Sequence, residues 1–335
     1  MTSIKKFKRN GVIALLDILG TKTKSKEENV NEFLDNITSL YNELDEAYNV
    51  IKKLGNIEEY KRFNLDTILR TIHMNRSVNS ENDVLDFKSK VRNFLKIEIS
   101  TFSDTIIIAL YSDIENEEKQ PTVLLLYLLS YILIKIFRRA FSKRLYLRGT
   151  ISCGKIYLLK QQAKLMIVGP AINEAAESHE STRWIGINTS PSALLTLDQD
   201  TEFFNSFDTI KELVDRQDQS IIDRLPEQQK TMVMFLVDIA NLLANLKKYY
   251  VSYNIPNKNG LEKNGKALAW PLFDDEYIKE IEQIFKEELH FSKFQQSTIG
   301  YEIYMKWKLT KDFYDICMSK YSKIDLNPLK KYYNP

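Results

Sequence analysis

The sequence predicts an α+β fold, in which an antiparallel-rich sheet carries helices on one face. Three observations support this prediction. Apolar runs typical of strands occur near residue 12, between 97 and 111, and between 145 and 188. Stretches between these runs have apolar residues at the spacing of an amphipathic helix. Turn-forming residues separate the runs, so each run predicts a distinct element.

The elements follow one another in a regular order. Val12–Leu16 predicts the first strand, and the apolar spacing from Asn31 to Ile51 predicts an amphipathic helix. The polar stretch after it, up to about residue 93, is expected to be helical in parts. The elements then predicted are strands at 97–102 and 105–111 joined by a tight hairpin, a helix at 120–140, a strand from Leu145 to Cys153 that ends at Gly154, short extended pieces at 156–159 and 165–168, a helix from Gly169 and Pro170 to about His179, and a last strand at 184–188. This order predicts a ferredoxin-like core with additions.

The residues after Ser190 follow a helical pattern. One apolar stripe spans 232–250 and a second spans 278–289, with a turn-rich loop at 254–265 between them. We therefore predict two units. The first is a core at 1–190 with a helical insertion at about 25–95, and the second is a helical C-terminal extension at 191–335.

The segment Val123–Phe137 is the part of the chain most similar to a membrane span. As a helix, its roughly 15 residues would measure about 22 Å, whereas the hydrocarbon core of a bilayer is about 30 Å thick. Lys135 also interrupts its last turn. We therefore expect a buried core helix and no membrane span.

The composition indicates the class of protein and the cellular compartment. The chain has 335 residues, of which 44% are hydrophobic and 27% charged, as in a globular protein. Its net charge of +2 gives no nucleic-acid signal, so no nucleic-acid partner is expected. The two cysteines form no disulfide framework and no zinc-ligand spacing. The N-terminus does not have the pattern of a signal peptide, and a reducing cytoplasm is the expected location.

Two acidic residues lie beside strand-like runs. Asp17 ends an apolar run and is followed by Gly20, and Asp104 lies in the tight hairpin. A carboxylate buried beside a strand is costly unless it is paired. Two such carboxylates on neighbouring strands repel each other unless divalent cations lie between them. This pattern predicts a two-metal phosphoryl-transfer site, while simple turn capping by each aspartate stays an alternative.

The chain contains four motifs, in this order: LLDILG, FSDT, LRGTISCGKIY and VGPAINEAAE. Together they resemble the catalytic core of class III nucleotidyl cyclases over roughly residues 10–190, with details closest to the bacterial pyrimidine cyclases of Pycsar anti-phage systems. The resemblance implies that a nucleoside triphosphate closes on itself and releases pyrophosphate. It also implies that a separate effector protein reads the cyclic product.

The resemblance assigns roles to individual residues. It implies that Asp17, Asp104 and the Ile18 carbonyl hold two Mg²⁺ or Mn²⁺ ions, which activate the ribose hydroxyl and neutralise the triphosphate. Glycine and turn amides after Asp17 would face phosphate oxygens. The nucleotide-binding positions that it implies are Gly20, Thr21, Ser100, Arg148 and Met166.

The catalytic positions match the family only in part. Asn173 matches the asparagine that orients the ribose, but Glu177 stands where the family has an arginine four residues later. Arg183 is the nearest substitute for a cation at the α-phosphate, and an ordinary surface role for it stays open. The histidines form no constellation, so His179 is expected at the surface.

The base-reading positions also depart from the purine cyclases. Adenine-reading members have a lysine four residues before the second aspartate and an aspartate seven residues before the asparagine, where this chain has Ser100 and Met166. The Glu/Cys pair that reads guanine is absent as well. We therefore expect a pyrimidine substrate, UTP or CTP.

The family's composite sites imply a homodimer, with the metal aspartates from one protomer and the asparagine and cation from the other. Three alternatives remain. The chain could be a degenerate homologue that binds a nucleotide without turnover, which Glu177 favours. It could be a two-metal dinucleotide synthase, although it lacks a Gly-Gly-Asp hairpin. It could be a helical interaction protein built on residues 25–95 and 190–335.

Overall fold

A computed structural model describes residues 5–19, 30–55, 96–111, 122–161, 164–198, 247–259, 262–272, 275–293 and 298–320. The strands in these ranges are β1 (Lys5–Leu19), β2 (Lys96–Phe102), β3 (Thr105–Tyr111), β4 (Tyr146–Gln161), β5 (Lys164–Val168), β6 (Gly186–Thr189), β7 (Tyr250–Pro256) and β8 (Glu262–Leu268). The α-helices are α1 (Val30–Gly55), α2 (Thr122–Ser142), α3 (Pro170–Ser181), α4 (Pro191–Asp198), α5 (Asp275–Lys293) and α6 (Thr298–Lys320).

The described strands form one eight-stranded sheet. Its order is β2-β3-β1-β4-β6-β8-β7, and β5 pairs with β4 beside this path. Strand β1 is antiparallel to both β3 and β4, and β2 is antiparallel to β3. With α1 between β1 and β2 and α2 between β3 and β4, these four strands have the ferredoxin-like arrangement. The predicted α+β fold with a ferredoxin-like core is confirmed.

Helix α2 fills the main core. Its residues are apolar on almost every side because it packs against β1, β3 and β4 on one side and against other helices elsewhere. Lys135 is only partly buried, and its ammonium lies 5.2 Å from the centroid of the Tyr131 ring. The segment Val123–Phe137 is thus a core helix, as predicted. Among the described helices, none is long and apolar enough to cross a membrane.

The opposite face of the sheet carries a smaller cluster under α3. This cluster consists of Ile13, Ala109, Tyr111, Ile156, Leu158, Ile167 and Ala171. Helix α3 begins at Pro170, which suits a first helical turn. It buries Ala171, Ala175 and His179, which are spaced four residues apart and so share one face. Helix α3 thereby covers the part of the sheet where β1 and β4 pair.

Strand β4 is longer than predicted. It runs through Gly154 to Gln161 because β1 pairs with it along its whole length, from Leu19 opposite Tyr146 to Lys5 opposite Lys160. Gly154 has φ = 140°, a left-handed conformation that glycine adopts easily inside a twisted strand. The predicted strand end at Gly154 is therefore wrong. The last strand of the core, β6, begins at Gly186 instead of Trp184.

The residues after Ser190 are not wholly helical. Strands β7 and β8 form an antiparallel hairpin, and Ala267 of β8 pairs with Asn188 of β6. The interpretation of 254–265 as a loop is wrong, because both ends of that segment lie in strands. Helix α5 confirms the stripe at 278–289 and α1 confirms the helix at 31–51, whereas residues 56–95 and the stripe at 232–246 lie outside the described residues. The division at residue 190 stays a prediction.

The C-terminal helices pack on the sheet through aromatic rings. The ring centroids of Trp307 in α6 and Tyr146 in β4 are 4.6 Å apart, in an edge-to-face arrangement. Those of Phe313 and Trp184 are 4.8 Å apart, also edge to face. Helix α6 therefore lies against the end of β4 and the segment before β6.

Candidate functional site

One cross-strand row of side chains lies on the α3 face of the sheet. The register places Phe102, Thr105, Asp17 and Arg148 opposite one another across β2, β3, β1 and β4. Residues directly opposite each other in antiparallel strands point to the same face. Asp17 therefore lies between the β2–β3 hairpin and the arginine of β4.

The hairpin turn brings Asp104 to the same end of the sheet. Ser103 has φ = 57°, which closes the turn tightly, and the Ile18 amide donates a hydrogen bond of 2.9 Å to the Asp104 carbonyl. The turn is thus tied to β1 one residue after Asp17. Burial raises the pKa of Asp17, and the negative charge of Asp104 adds to this effect, while the hydrogen bond from Arg148 opposes it.

Arg148 binds Asp17 directly. Its Nη2 lies 3.0 Å from Asp17 Oδ2, and its Nη1 donates to the Thr182 carbonyl at 3.3 Å. The two side chains are largely buried, with exposures of 13% and 20%. Next to Arg148, Gly149 lets β4 lie close to β1, because a Cβ there would lie 2.7 Å from the Leu15 carbonyl. The predicted nucleotide-binding arginine therefore holds the predicted metal ligand in this structure.

His179 belongs to the same site, so the expected surface position is wrong. Its side chain is only 9% exposed, and its Nε2 lies 4.0 Å from Asp17 Oδ2 without a hydrogen-bond partner. Burial, with repulsion from Arg148 and Lys258, lowers the pKa of His179 to about 4. The imidazole is therefore neutral at pH 7. The four-residue spacing from Ala171 and Ala175 was the sequence signal that could have placed it on the buried face.

The remaining predicted residues are spread over the structure. Gly20 and Thr21 lie outside the described residues. Ser100 is half-buried on β2, two residues before Phe102. Met166 is 57% exposed on β5 and pairs with Leu159, which lies about 36 Å along β4 from Arg148 at about 3.3 Å per residue. A single chain therefore does not bring Met166 to Asp17.

Asn173 and Glu177 face away from Asp17. Both are exposed on α3 and are four residues apart, so they share the outer face of this helix. Arg183 is half-buried, and its amide donates to the Pro256 carbonyl at 3.0 Å. It directly follows Thr182, so its backbone lies beside Arg148. Within one chain, the structure groups Asp17, Asp104 and Arg148 but separates Asn173 from them.

The donor set at Asp17 and Asp104 fits Mg²⁺ or Mn²⁺. Both ions favour oxygen ligands, and the two carboxylates and the Ile18 carbonyl are all oxygen donors. Across the residues that the structure describes, no group of three or more His, Cys, Asp or Glu side chains is placed to hold a metal ion. Mg²⁺ is commonly bound by one or two carboxylates together with water and substrate phosphates. Asp17 and Asp104 therefore suit a metal that binds with a nucleotide.

No protein-family model and no curated protein sequence matches the chain. Its similar solved structures include "the catalytic core of a rhodopsin-guanylyl cyclase with converted specificity in complex with ATPalphaS", at 12% identity, covering 60% of this chain and 86% of that one, with a TM-score of 0.35. The guanylate cyclase domain of RhGC from Catenaria anguillulae in complex with GTP is 11% identical, with 58% and 85% covered and a TM-score of 0.36.

A class III adenylyl cyclase-like ATP-binding protein from Pseudomonas aeruginosa is 10% identical, with a TM-score of 0.38. The match covers 72% of this chain and 44% of that one.

Proposed function

We propose that this protein is a metal-dependent nucleotidyl cyclase that converts UTP or CTP to the 3′,5′-cyclic monophosphate and pyrophosphate. The observation that carries the proposal is the meeting of Asp17 and the Asp104 turn at one end of a ferredoxin-like sheet, joined by the 2.9 Å bond from the Ile18 amide. The four ordered motifs support it. By the Pycsar resemblance, the product is a cytoplasmic second messenger of anti-phage defence that a separate effector reads.

In the proposed reaction, Asp17 and Asp104 would hold the metal ions. When bound, these ions would lower the pKa of the ribose 3′-hydroxyl and neutralise charge on the triphosphate. Arg148 exchanges its bond to Asp17 for phosphate oxygens, which its planar fork matches well. The Thr182 carbonyl keeps the guanidinium oriented during this exchange. The neutral His179 adds no further positive charge beside Asp17.

The transition state needs residues from a second copy of the chain. Asn173 faces outward from α3, so we propose that it reaches the ribose of the partner's site in a twofold homodimer. The family has an arginine at the position of Glu177, and we propose that Arg183 supplies the missing positive charge. Exposed apolar residues on the β4–β5 hairpin support an interface, because Tyr157 and Val168 are paired across the strands and are each 39% exposed.

The pyrimidine preference rests on Ser100 and Met166. Neither side chain can make the charged contacts with which the family reads adenine. A pocket without these partners leaves the hydrogen-bonding groups of the purine edge unpaired, which costs binding free energy. Turnover of ATP or GTP is therefore expected to be minor.

The direct test is to incubate the protein with each of the four nucleoside triphosphates and Mn²⁺, and to identify the products by mass. Cyclic UMP or cyclic CMP is expected, and the Asp104→Asn variant serves as the inactive control. Cyclic AMP or cyclic GMP as the main product would contradict the base assignment.

A second candidate function is nucleotide binding without turnover. The specific observation in its favour is Glu177, an exposed glutamate on the same helix face as Asn173, where the cyclases have an arginine. Nucleotide binding with no product from any of the four triphosphates would support this candidate over the cyclase.

A further inference from the structure

Helix α6, in the predicted C-terminal extension, is fixed beside the site by specific contacts. The Ile185 amide donates to Thr310 Oγ1 at 3.0 Å, and Tyr253 Oη donates to the Leu309 carbonyl at 3.1 Å. These bonds attach α6 to the segment before β6 and to β7. The segment before β6 begins at Thr182, whose carbonyl binds Arg148.

Lys306 lies on the face of α6 that makes this contact. It precedes Thr310 by four residues, and Thr310 Oγ1 also donates to the Lys306 carbonyl at 2.7 Å. Its side chain is half-buried. The bonds that join Thr310 to Ile185 and to the Lys306 carbonyl place this lysine beside the segment that binds Arg148. The charges of both Arg148 and Asp17 act on its ammonium.

Lys258 approaches from the other side of the same segment. Its amide donates to the Ser181 carbonyl at 2.9 Å, and Asn257 forms a bridge with Thr182. The positive charge of Lys258 acts on both His179 and Lys306. Arg148 in β4, Lys258 in the β7–β8 turn and Lys306 in α6 thus belong to three elements that are all hydrogen-bonded to residues 181–185.

Three cations held together repel one another unless an anion lies between them. Burial lowers the pKa of Lys306, and repulsion from Arg148 and then Lys258 adds to this, while Glu302 and Asp17 act in the opposite direction. Asp17 is already bound by Arg148, and Glu302 is exposed on α6 itself. A polyanion at this point would relieve the repulsion among all three basic side chains.

We propose that Lys306, together with Arg148 and Lys258, binds the triphosphate chain of the nucleotide, so that α6 completes the active site of its own chain. This inference rests on the proposed function. It adds a substrate-binding residue that lies outside residues 10–190, where the four motifs occur. Lysine suits the role because its ammonium is a compact charge that can follow phosphate oxygens as the triphosphate is cleaved.

The test measures binding of inorganic tripolyphosphate by calorimetry in metal-free buffer. Lys306→Ala is expected to raise the Kd about tenfold, and Lys306→Arg is expected to bind within about threefold of the wild type because it keeps the charge. The matched control is Lys308→Ala, which removes one positive charge from an exposed position of the same helix and is expected to leave the Kd unchanged. Lys306→Met, which keeps the aliphatic stem, replaces Lys306→Ala if the alanine variant does not fold.

Equal Kd values for the wild type and Lys306→Ala would overturn the inference. So would equal weakening in Lys306→Ala and Lys308→Ala, since that would be a general effect of net charge. The same proteins are assayed with UTP and CTP. If tripolyphosphate binding depends on Lys306 but no cyclic product forms, the proposed cyclase activity is contradicted and the proposed anion-binding site is supported. Normal turnover with a raised KM in Lys306→Ala would support both.

Discussion

Asp17 is bound by Arg148, and the proposed metal ion would compete with Arg148 for the same carboxylate. The ion pair with Arg148, at 3.0 Å and largely buried, neutralises the carboxylate when no metal is bound. In the proposed reaction, Asp17 would exchange this interaction for the metal, and the Arg148 guanidinium would then be free to bind phosphate. Binding of metal and binding of nucleotide would thereby be coupled through the Asp17 side chain.

The Asp17→Ala and Asp104→Ala variants are expected to differ in stability, and both are expected to lose turnover. Asp17→Ala should lower the free energy of unfolding by about 2 kcal/mol, because it leaves Arg148 buried without its charged partner. Asp104→Ala should lower it less, because the backbone carbonyl that binds Ile18 remains. Urea denaturation of both variants, with cyclase assays on the same samples, checks this difference. Near-normal turnover in either variant would show that the metal-site assignment is wrong.

Local sequence signals singled out Asp17 and Asp104, because each follows a strand-forming run at a turn, and the structure places both at one end of the sheet. Local signals did not predict the buried position of His179. It follows from the face of α3 that His179 shares with Ala171 and Ala175. Lys306 had no local signal at all. It reaches the site through tertiary contacts between α6 and the segment before β6, which are far apart in sequence.

At the scale of elements, α6 docks on the segment before β6 and carries Lys306. Cys317 in this helix is completely buried, and burial raises the pKa of its thiol. Cys153 in β4 is also buried, and burial raises its pKa to about 12. Both thiols are therefore protonated and shielded at pH 8, and reactivity of Cys317 reports on release of α6.

Alkylation with iodoacetamide at pH 8 is expected to modify neither cysteine in the folded protein and both in urea. Lys308→Cys provides an exposed thiol on the same helix and should react quickly. Mass spectrometry of peptides after timed labelling measures each site. Reaction of Cys317 as fast as Lys308→Cys, with Cys153 still protected, would show that α6 does not stay docked.

The elements of the core were predictable because their patterns are local. The apolar helix α2 and the β2–β3 hairpin each follow one periodicity bounded by turn residues. The hairpin of β7 and β8 was missed because residues 254–265 are rich in turn-forming residues, although pairing within the hairpin and with β6 holds both strands in the sheet. Pairing with a strand remote in sequence therefore outweighed the local preference of these residues for a turn.

At the scale of the whole molecule, the proposed homodimer has active sites that are each shared between two chains. Within one chain, Asp17 and Asp104 lie at one end of the sheet while Asn173 faces outward on α3. A twofold dimer with composite sites accounts for both positions. It also gives a role to the exposed apolar side chains of the β4–β5 hairpin.

Complementation between two inactive variants is the most direct test of whether each active site is shared between two chains. Asp17→Ala and Asn173→Ala should each be inactive alone, while an equal mixture after subunit exchange should recover about a quarter of wild-type activity, because half of the dimers are mixed and each mixed dimer has one intact site. Exchange is verified by native mass spectrometry with one variant isotopically labelled. No activity above that of the separate variants, despite verified exchange, would contradict the shared-site account, as would a monomer in solution that turns over substrate.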